Sequence, residues 1–170
     1  MKVQLLRIDD RLIHGQVVLG WAKHLKSKRI LLCDDAVAAN EWEKQLYLTC
    51  VSGNLESVIL NTRETIGFLS KDTPYLDRTI VLVNSPQVLL ELTGMGFVPA
   101  EANLGGMHYA EDRQKYLPYV FLSEKDVQDL KTLVAKGISI YCQEVPTAKR
   151  HNVMEILNSK KKDERLKMKD

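Results

Sequence analysis

The sequence predicts an α/β protein: one three-layer α/β/α domain with a mainly parallel sheet of about seven strands. Three observations point there. Short β-type runs alternate with amphipathic stretches of helical period. The segments between runs are long enough for helical crossovers, which parallel strands need. Runs such as Thr79-Ile80-Val81-Leu82-Val83 suit strands covered on both faces.

In order, residues 3–8 read as the first strand. Residues 15–25 follow as a helix with Val17, Val18, Trp21, Ala22 and Leu25 along one face. Residues 30–33 form a compact second strand ending at Asp34-Asp35. Asn40 caps the next helix, and Glu43 completes a capping box. Residues 57–60 make the third strand, and Thr62 opens a helix over 63–69. Residues 79–83 are the fourth strand. Ser85 then caps a helix over 87–92, with Pro86 at its first position and Gly94 as its stop. The stretch 97–104 is the weakest and reads as one short strand before a Gly105-Gly106 turn. Residues 119–122 are a further strand, and Ser123 caps a helix over 124–135 that Gly137 ends. Residues 138–145 are the last strand. Pro146 breaks it, and Thr147 caps a closing helix to about residue 157. The domain therefore spans 1–157, and 158–170 is a charged tail.

The chain has 170 residues, 45% hydrophobic and 27% charged, which supports a real core without staples. It holds no apolar run of about 18 residues, and its start turns charged too soon for a signal peptide. Cys33, Cys50 and Cys142 are too scattered for a disulfide frame or a zinc site, and read as thiols in a reducing cytoplasm. The tail carries +3 and the rest −1. It lacks aromatic residues and keeps acids among its lysines, so it reads as a solvated terminus, not a nucleic-acid surface.

Chemistry concentrates in Arg7-Ile8-Asp9-Asp10-Arg11-Leu12-Ile13-His14, followed by Gly15-Gln16. This connector leaves the carboxyl end of the first strand, where ligand sites of α/β proteins collect. Arginine offers phosphate a planar fork of donors, and a helix amino terminus adds unpaired N–H groups. Imidazole is a nucleophile that works near neutral pH, and a carboxylate can set its tautomer. Gly15 lets the backbone approach a group carried by its neighbour. Charged loop residues also pair simply with one another, and spacing leaves both readings open.

The run from Arg7 to Val17, with Trp21, resembles the active-site segment of the enzyme IIB subunits of the mannose/fructose/sorbose family of the bacterial sugar phosphotransferase system. The likeness continues through Asp34-Asp35-Ala36-Val37-Ala38, Asn103-Leu104-Gly105-Gly106-Met107 and Glu124-Lys125-Asp126, and ends at Val145-Pro146. It implies a phosphotransferase whose His14 accepts a phosphoryl group on Nδ1 from a phosphohistidine of the IIA component. That group then passes to a sugar during uptake through the membrane components IIC and IID. The resemblance makes Arg11 the phosphate clamp, Asp10 an orienting carboxylate, Gly15 and Gln16 backbone donors, and Arg7 and Asp9 secondary participants. No metal and no organic cofactor is implied. The location implied is cytoplasmic, at the membrane only through partner subunits. Mannose, fructose, sorbose and N-acetylgalactosamine all remain open as the sugar.

Asp34-Asp35 raises a rival, a receiver domain phosphorylated on aspartate, but Asn84 and Glu144 stand where its acceptor and lysine belong. Otherwise the pair supports the loop or caps the next turn. Asn103, Gly105 and Gly106 either bring backbone donors toward a phosphate or simply make a tight turn. His24, His108 and His151 read as surface or packing residues, His108 being notable for following the glycine turn. A non-enzymatic docking module is the third reading.

Overall fold

The computed structural model describes residues 2–51, 53–71 and 74–167. Its first strand, β1 (Leu5–Asp9), is followed by a π-helix (Gln16–Ala22) and a single α-turn, α1 (Lys23–Leu25). Next come β2 (Arg29–Cys33), α2 (Asp35–Ala39), α3 (Glu41–Thr49), β3 (Glu56–Leu60) and α4 (Thr62–Leu69). The chain continues through β4 (Thr79–Val83), α5 (Pro86–Gly94), β5 (Glu101–Gly106), β6 (Gln114–Leu117) and β7 (Val120–Leu122). It closes with α6 (Glu124–Ala135), β8 (Ser139–Cys142), β9 (His151–Asn152) and α7 (Val153–Lys167).

The main sheet has seven strands in the order β3-β2-β4-β1-β5-β8-β9, parallel except where β9 runs against β8. The predicted fold class is right, but β6, β7 and β9 differ from expectation, and Gly105-Gly106 closes β5 where a turn was expected. The expected strand at 119–122 leaves the main sheet and pairs with β6 in a separate antiparallel hairpin. The seventh place is taken by β9, where the sequence suggested a helix capped by Thr147. Two residues carry no readable period, so only tertiary pairing reveals them.

Side chains alternate across each strand. Leu6, Ile8, Leu31, Val81 and Val83 pack on one face with Leu89, Leu92 and Leu130. Leu5, Ile30, Leu32, Ile80 and Leu82 pack on the other with Val17, Trp21 and Val37. Every residue of β1, β2 and β4 is buried, as strands covered twice must be.

Local signals set the helix starts. Asn61 and Glu64 form a capping box for α4, and Ser123 and Asp126 another for α6. Thr62 is thus the first helical residue of α4, and Asn61 the cap. The closing helix does not stop near residue 157. It runs unbroken to Lys167, so most of the expected tail is helical, and its last residues, 168–170, lie outside the described part.

The chain passes from β1 outward to β2 and β3, returns to β4, then crosses β1 to β5. The carboxyl end of β1 therefore lies where the strand order reverses, the usual place for a ligand in an open α/β sheet.

Candidate active site

The period of two that sends Leu5 to the Trp21 face sends Arg7 and Asp9 there too, in place of apolar residues. Both are fully buried. Arg7 donates to Asn103 Oδ1, to the carbonyls of Gln143 and Glu144 (3.1 Å each), and to Asp9 Oδ2 through Nη2 (2.7 Å) and Nε (3.2 Å). Its guanidinium lies 5.3 Å from the Trp21 ring centre. Trp21 is fixed in turn by donating Nε1–H to Glu144 O at 3.1 Å. Burial pulls the Arg7 value below that of a free guanidinium, against the opposing charge of Asp9. A charge this deep is tolerable because its donors are matched.

Asp9 sits between two arginines. Arg11 reaches it with its backbone N–H (3.2 Å) and Nε (2.9 Å) on Oδ1, and with Nη2 (2.8 Å) on Oδ2. Burial would raise the Asp9 carboxyl, but the Arg11 hydrogen bond and both positive charges prevail, and it ends below the ordinary range. Arg11 moves the opposite way, raised by its bond to Asp9. The glycines of β5 make room for both side chains. A Cβ on Gly105 would fall inside the Arg7 guanidinium, and one on Gly106 would come within 2.6 Å of Arg11 Nη2.

Beyond Asp9 the chain turns sharply, with Leu12 N–H donating to Asp9 O at 3.1 Å. Leu12 has a φ of 59°, a left-handed conformation costing a leucine about 1 kcal/mol or more. Burial of Leu12 and Ile13 in the Trp21 cluster holds it there. The twist presents Leu12 O to His14 Nδ1 at 2.8 Å. A carbonyl only accepts, so Nδ1 is the donor in this contact. Nε2 turns inward with no hydrogen-bond partner, 3.9 Å from Asp9 Oδ2. About a fifth of the His14 side chain is exposed (21%), so the ring is reachable from solvent.

The helix after His14 is a π-helix where the sequence predicts an α-helix. The N–H groups of Val17 and Val18 both donate to His14 O at 3.0 Å. Its buried residues are Val17, Trp21 and Ala22, three of the five positions expected along the buried face. Gly15 and Gln16 stand at its open amino end, where N–H groups lack intrahelical acceptors. Gly15 is in a right-handed conformation with open space beside it, so it provides room, not an unusual backbone angle. The Gln16 side chain donates to Glu144 Oε1 at 3.3 Å.

Asp10 is not where an orienting carboxylate for His14 has to be. Odd and even positions diverge, and Asp10 accepts from His108 N–H and Arg113 Nη1 (2.8 Å each), with His108 Nδ1 2.7 Å from its other oxygen. Arg113 reaches on to Asp126 at 3.4 Å, bracing the loop against α6. Asp9 is the carboxylate beside the imidazole. Asp34 caps α2 through Val37 N–H (2.9 Å) and accepts from Asn84 (2.7 Å), and Asp35 accepts twice from Thr62 (2.7 and 2.8 Å). Asn103 braces Arg7. Sequence reasoning missed Trp21 as an arginine platform, Glu144 as an acceptor and Arg113 as a brace; the last carries no motif. No cluster of three potential metal ligands occurs among the described residues.

The carboxyl end of β1 thus holds a histidine, an arginine fork and an open helix end. Residues 3–168 match the family model "PTS system sorbose subfamily IIB component". The chain belongs to this family. Its members are phosphotransferases of sugar phosphorylation, and the receiver and docking-module readings fall away. The chain is 28% identical over 158 residues to the mannose-specific EIIAB component of Escherichia coli, covering 93% of this chain and 49% of that longer one. It is 26% identical over 159 residues to the fructose-specific EIIB component of Bacillus subtilis, covering 94% and 98%. The crystal structure of the IIBSor domain of the sorbose permease from Klebsiella pneumoniae superposes with a TM-score of 0.85 at 27% identity, over 94% and 98%. The family match runs past residue 157, so the likeness extends along α7. Among the described residues no helix is long and apolar enough to cross a membrane.

Proposed function

We propose that this IIB component carries a phosphoryl group on His14, taking it from a phosphohistidine of a IIA component and giving it to a sugar during uptake through IIC and IID. One observation carries the reading: His14 and the Arg11 fork converge on one carboxylate, with His14 Nε2 3.9 Å and Arg11 Nη2 2.8 Å from Asp9 Oδ2. The name of the mannose-specific relative, EIIAB, joins A and B components in one chain and supports a IIA donor. The protein works in the cytoplasm, at the membrane only through its partners.

In the first transfer the P–N bond of the donor breaks as a His14 lone pair forms a new one, and the donor ring recovers its electron pair. In the second, a sugar hydroxyl oxygen attacks phosphorus, its proton leaves, and His14 regains its lone pair. Arg11 neutralises the three moving oxygens, and the N–H groups of Gly15 and Gln16 add donors at the helix end. Arg7 holds Asp9 and so holds Arg11. Positioning and charge supply the catalysis.

The family likeness implies Nδ1 as the atom that bonds phosphorus. In the resting structure Nδ1–H donates to Leu12 O, so attack through Nδ1 requires the ring to leave that carbonyl and the Nδ1 proton to pass to Nε2 by way of solvent. The test is labelling of His14→Ala by phosphorylated IIA. Loss of the label in a folded variant is expected; stoichiometric labelling refutes the assignment.

A further inference from the structure

Asp9 receives far more hydrogen bonding than a turn requires. Its two oxygens accept from Arg7 Nε and Nη2 and from Arg11 N, Nε and Nη2, at 2.7–3.2 Å, on a fully buried side chain beside the His14 ring. A carboxylate gripped by two guanidinium forks next to an imidazole meets the same donors a phosphoryl group on that imidazole would claim.

The two arginines are held unequally. Arg7 is locked by Asn103, two carbonyls and Trp21 as well as Asp9, with Gly105 pressed against it. Arg11 is partly exposed, and among the described residues its side chain hydrogen-bonds to Asp9 alone. One fork is therefore fixed and the other can leave. If Arg11 leaves, Asp9 still keeps both bonds from Arg7 and the Arg11 backbone N–H, so no buried charge is abandoned.

We infer that Asp9 is an internal stand-in for the phosphoryl group: it holds Arg11 while His14 is free and surrenders it when His14 is phosphorylated. This rests on the reading of His14 as the acceptor. A phosphoryl group brings about −1.5 to −2 charges and three oxygens against a carboxylate's single charge, so it wins the fork. Because Asp9 competes throughout, the phosphoryl group is gripped less tightly than a free Arg11 would grip it, as a carrier that must give up its cargo needs. Asp9 is a positioning residue that acts through Arg11.

The experiment uses the full chain, labelled with 15N-arginine and 13C-aspartate, before and after phosphorylation by IIA. His14 phosphorylation is read independently by mass. The Arg11 Nε–H and Asp9 carboxyl resonances should move while Arg7 Nε–H stays within its hydrogen-bonded position. A phosphorylated His14 with Arg11 and Asp9 unmoved overturns this inference and leaves the carrier reading intact; an unphosphorylated His14 overturns both. In a companion measurement, Asp9→Asn should raise the phosphorylated fraction at equilibrium with IIA by about tenfold and slow onward transfer, since the competing charge is gone. A merely structural Asp9 predicts the opposite, lower retention in whatever fraction folds, and that result also overturns the inference. If the variant does not fold, the wild-type resonances decide.

Discussion

Gly105 and Gly106 are adjacent, yet alanine at each should do different damage. A methyl group at Gly105 meets the centre of the Arg7 guanidinium, and Arg7 has nowhere to go. It is fully buried, donates to four residues and lies against Trp21. Accommodating the methyl group means overpacking, at about 1–3 kcal/mol. If Arg7 is pushed off Asp9, the broken buried pair adds about 3–5 kcal/mol. Gly105→Ala should therefore cost about 1–3 kcal/mol if Arg7 holds its place and about 4 kcal/mol or more if it does not, a large share of a small domain's stability. At Gly106 the new atom meets Arg11 Nη2 at 2.6 Å and its Cζ and Nε at 2.9 Å, the far end of a partly exposed side chain. Arg11 can swing away. Gly106→Ala should cost under about 1.5 kcal/mol but slow phosphoryl transfer by about tenfold or more, because the fork is displaced. Urea unfolding and single-turnover transfer from phosphorylated IIA measure the two effects. Equal stability losses at both sites, or a folded Gly106→Ala with wild-type transfer, would show that the arginines are not where the chemistry places them.

Three further outcomes can be checked directly. Arg11→Lys keeps the charge but loses the two-oxygen fork, so transfer should fall by about tenfold or more with little change in unfolding midpoint; an unchanged rate removes Arg11 from the mechanism. The Asp9 carboxyl is held below its unfolded value of about 3.9, so its stabilisation is present above that value and disappears as pH falls through the depressed one. Stability of the wild type should drop below about pH 4 more steeply than that of Asp9→Asn, and parallel curves would discount Asp9 as the linked group. Of the three thiols, Cys33 and Cys142 are buried, burial pushing Cys142 up to about 12, while Cys50 is exposed. One thiol should react quickly with an aromatic disulfide reagent in the native protein, and Cys50→Ser should abolish that phase; a fast phase surviving in the variant contradicts the burial.

How much of this was legible in the sequence depended on how local each cause is. Ser85-Pro86 and the Ser123–Asp126 box announced their helices because a cap is a contact across three residues. The β-branched run at Thr79–Val83 announced a doubly covered strand. The charged connector marked the site, since so many ionisable groups in one loop have no packing role to play. What stayed hidden was set by distant partners. The π-helix carries Trp21, whose partners are Arg7 and Glu144, the latter over a hundred positions away. Arg113 meets Asp10 only because the β5–β6 connection folds back over the loop. The exchange of roles between Asp9 and Asp10 has the same origin. Asp9 is the last residue of β1 and Asp10 the next in sequence, and alternation sends one under His14 and the other toward α6.

On the proposed carrier reading, the division of labour between strand and loop follows from what a carrier has to do. The floor of the site, the Arg7–Asp9 ion pair with Asn103, is built on the adjacent strands β1 and β5, and it fixes the carboxylate from which Arg11 reaches out. His14 sits instead between the left-handed Leu12 and a π-helix that starts two residues later at Gln16, both of higher energy than the regular alternatives. Reaction requires the imidazole to leave Leu12 O, and a loop that already stores about 1 kcal/mol or more at Leu12 has less to lose by shifting. A regular α-turn at this place would hold the ring more firmly in the one orientation in which Nδ1 is occupied and Nε2 faces Asp9. On the proposed reading, the irregular backbone at His14 is thus the part of the site that would let one histidine face a donor and an acceptor in succession above the Arg7–Asp9 pair.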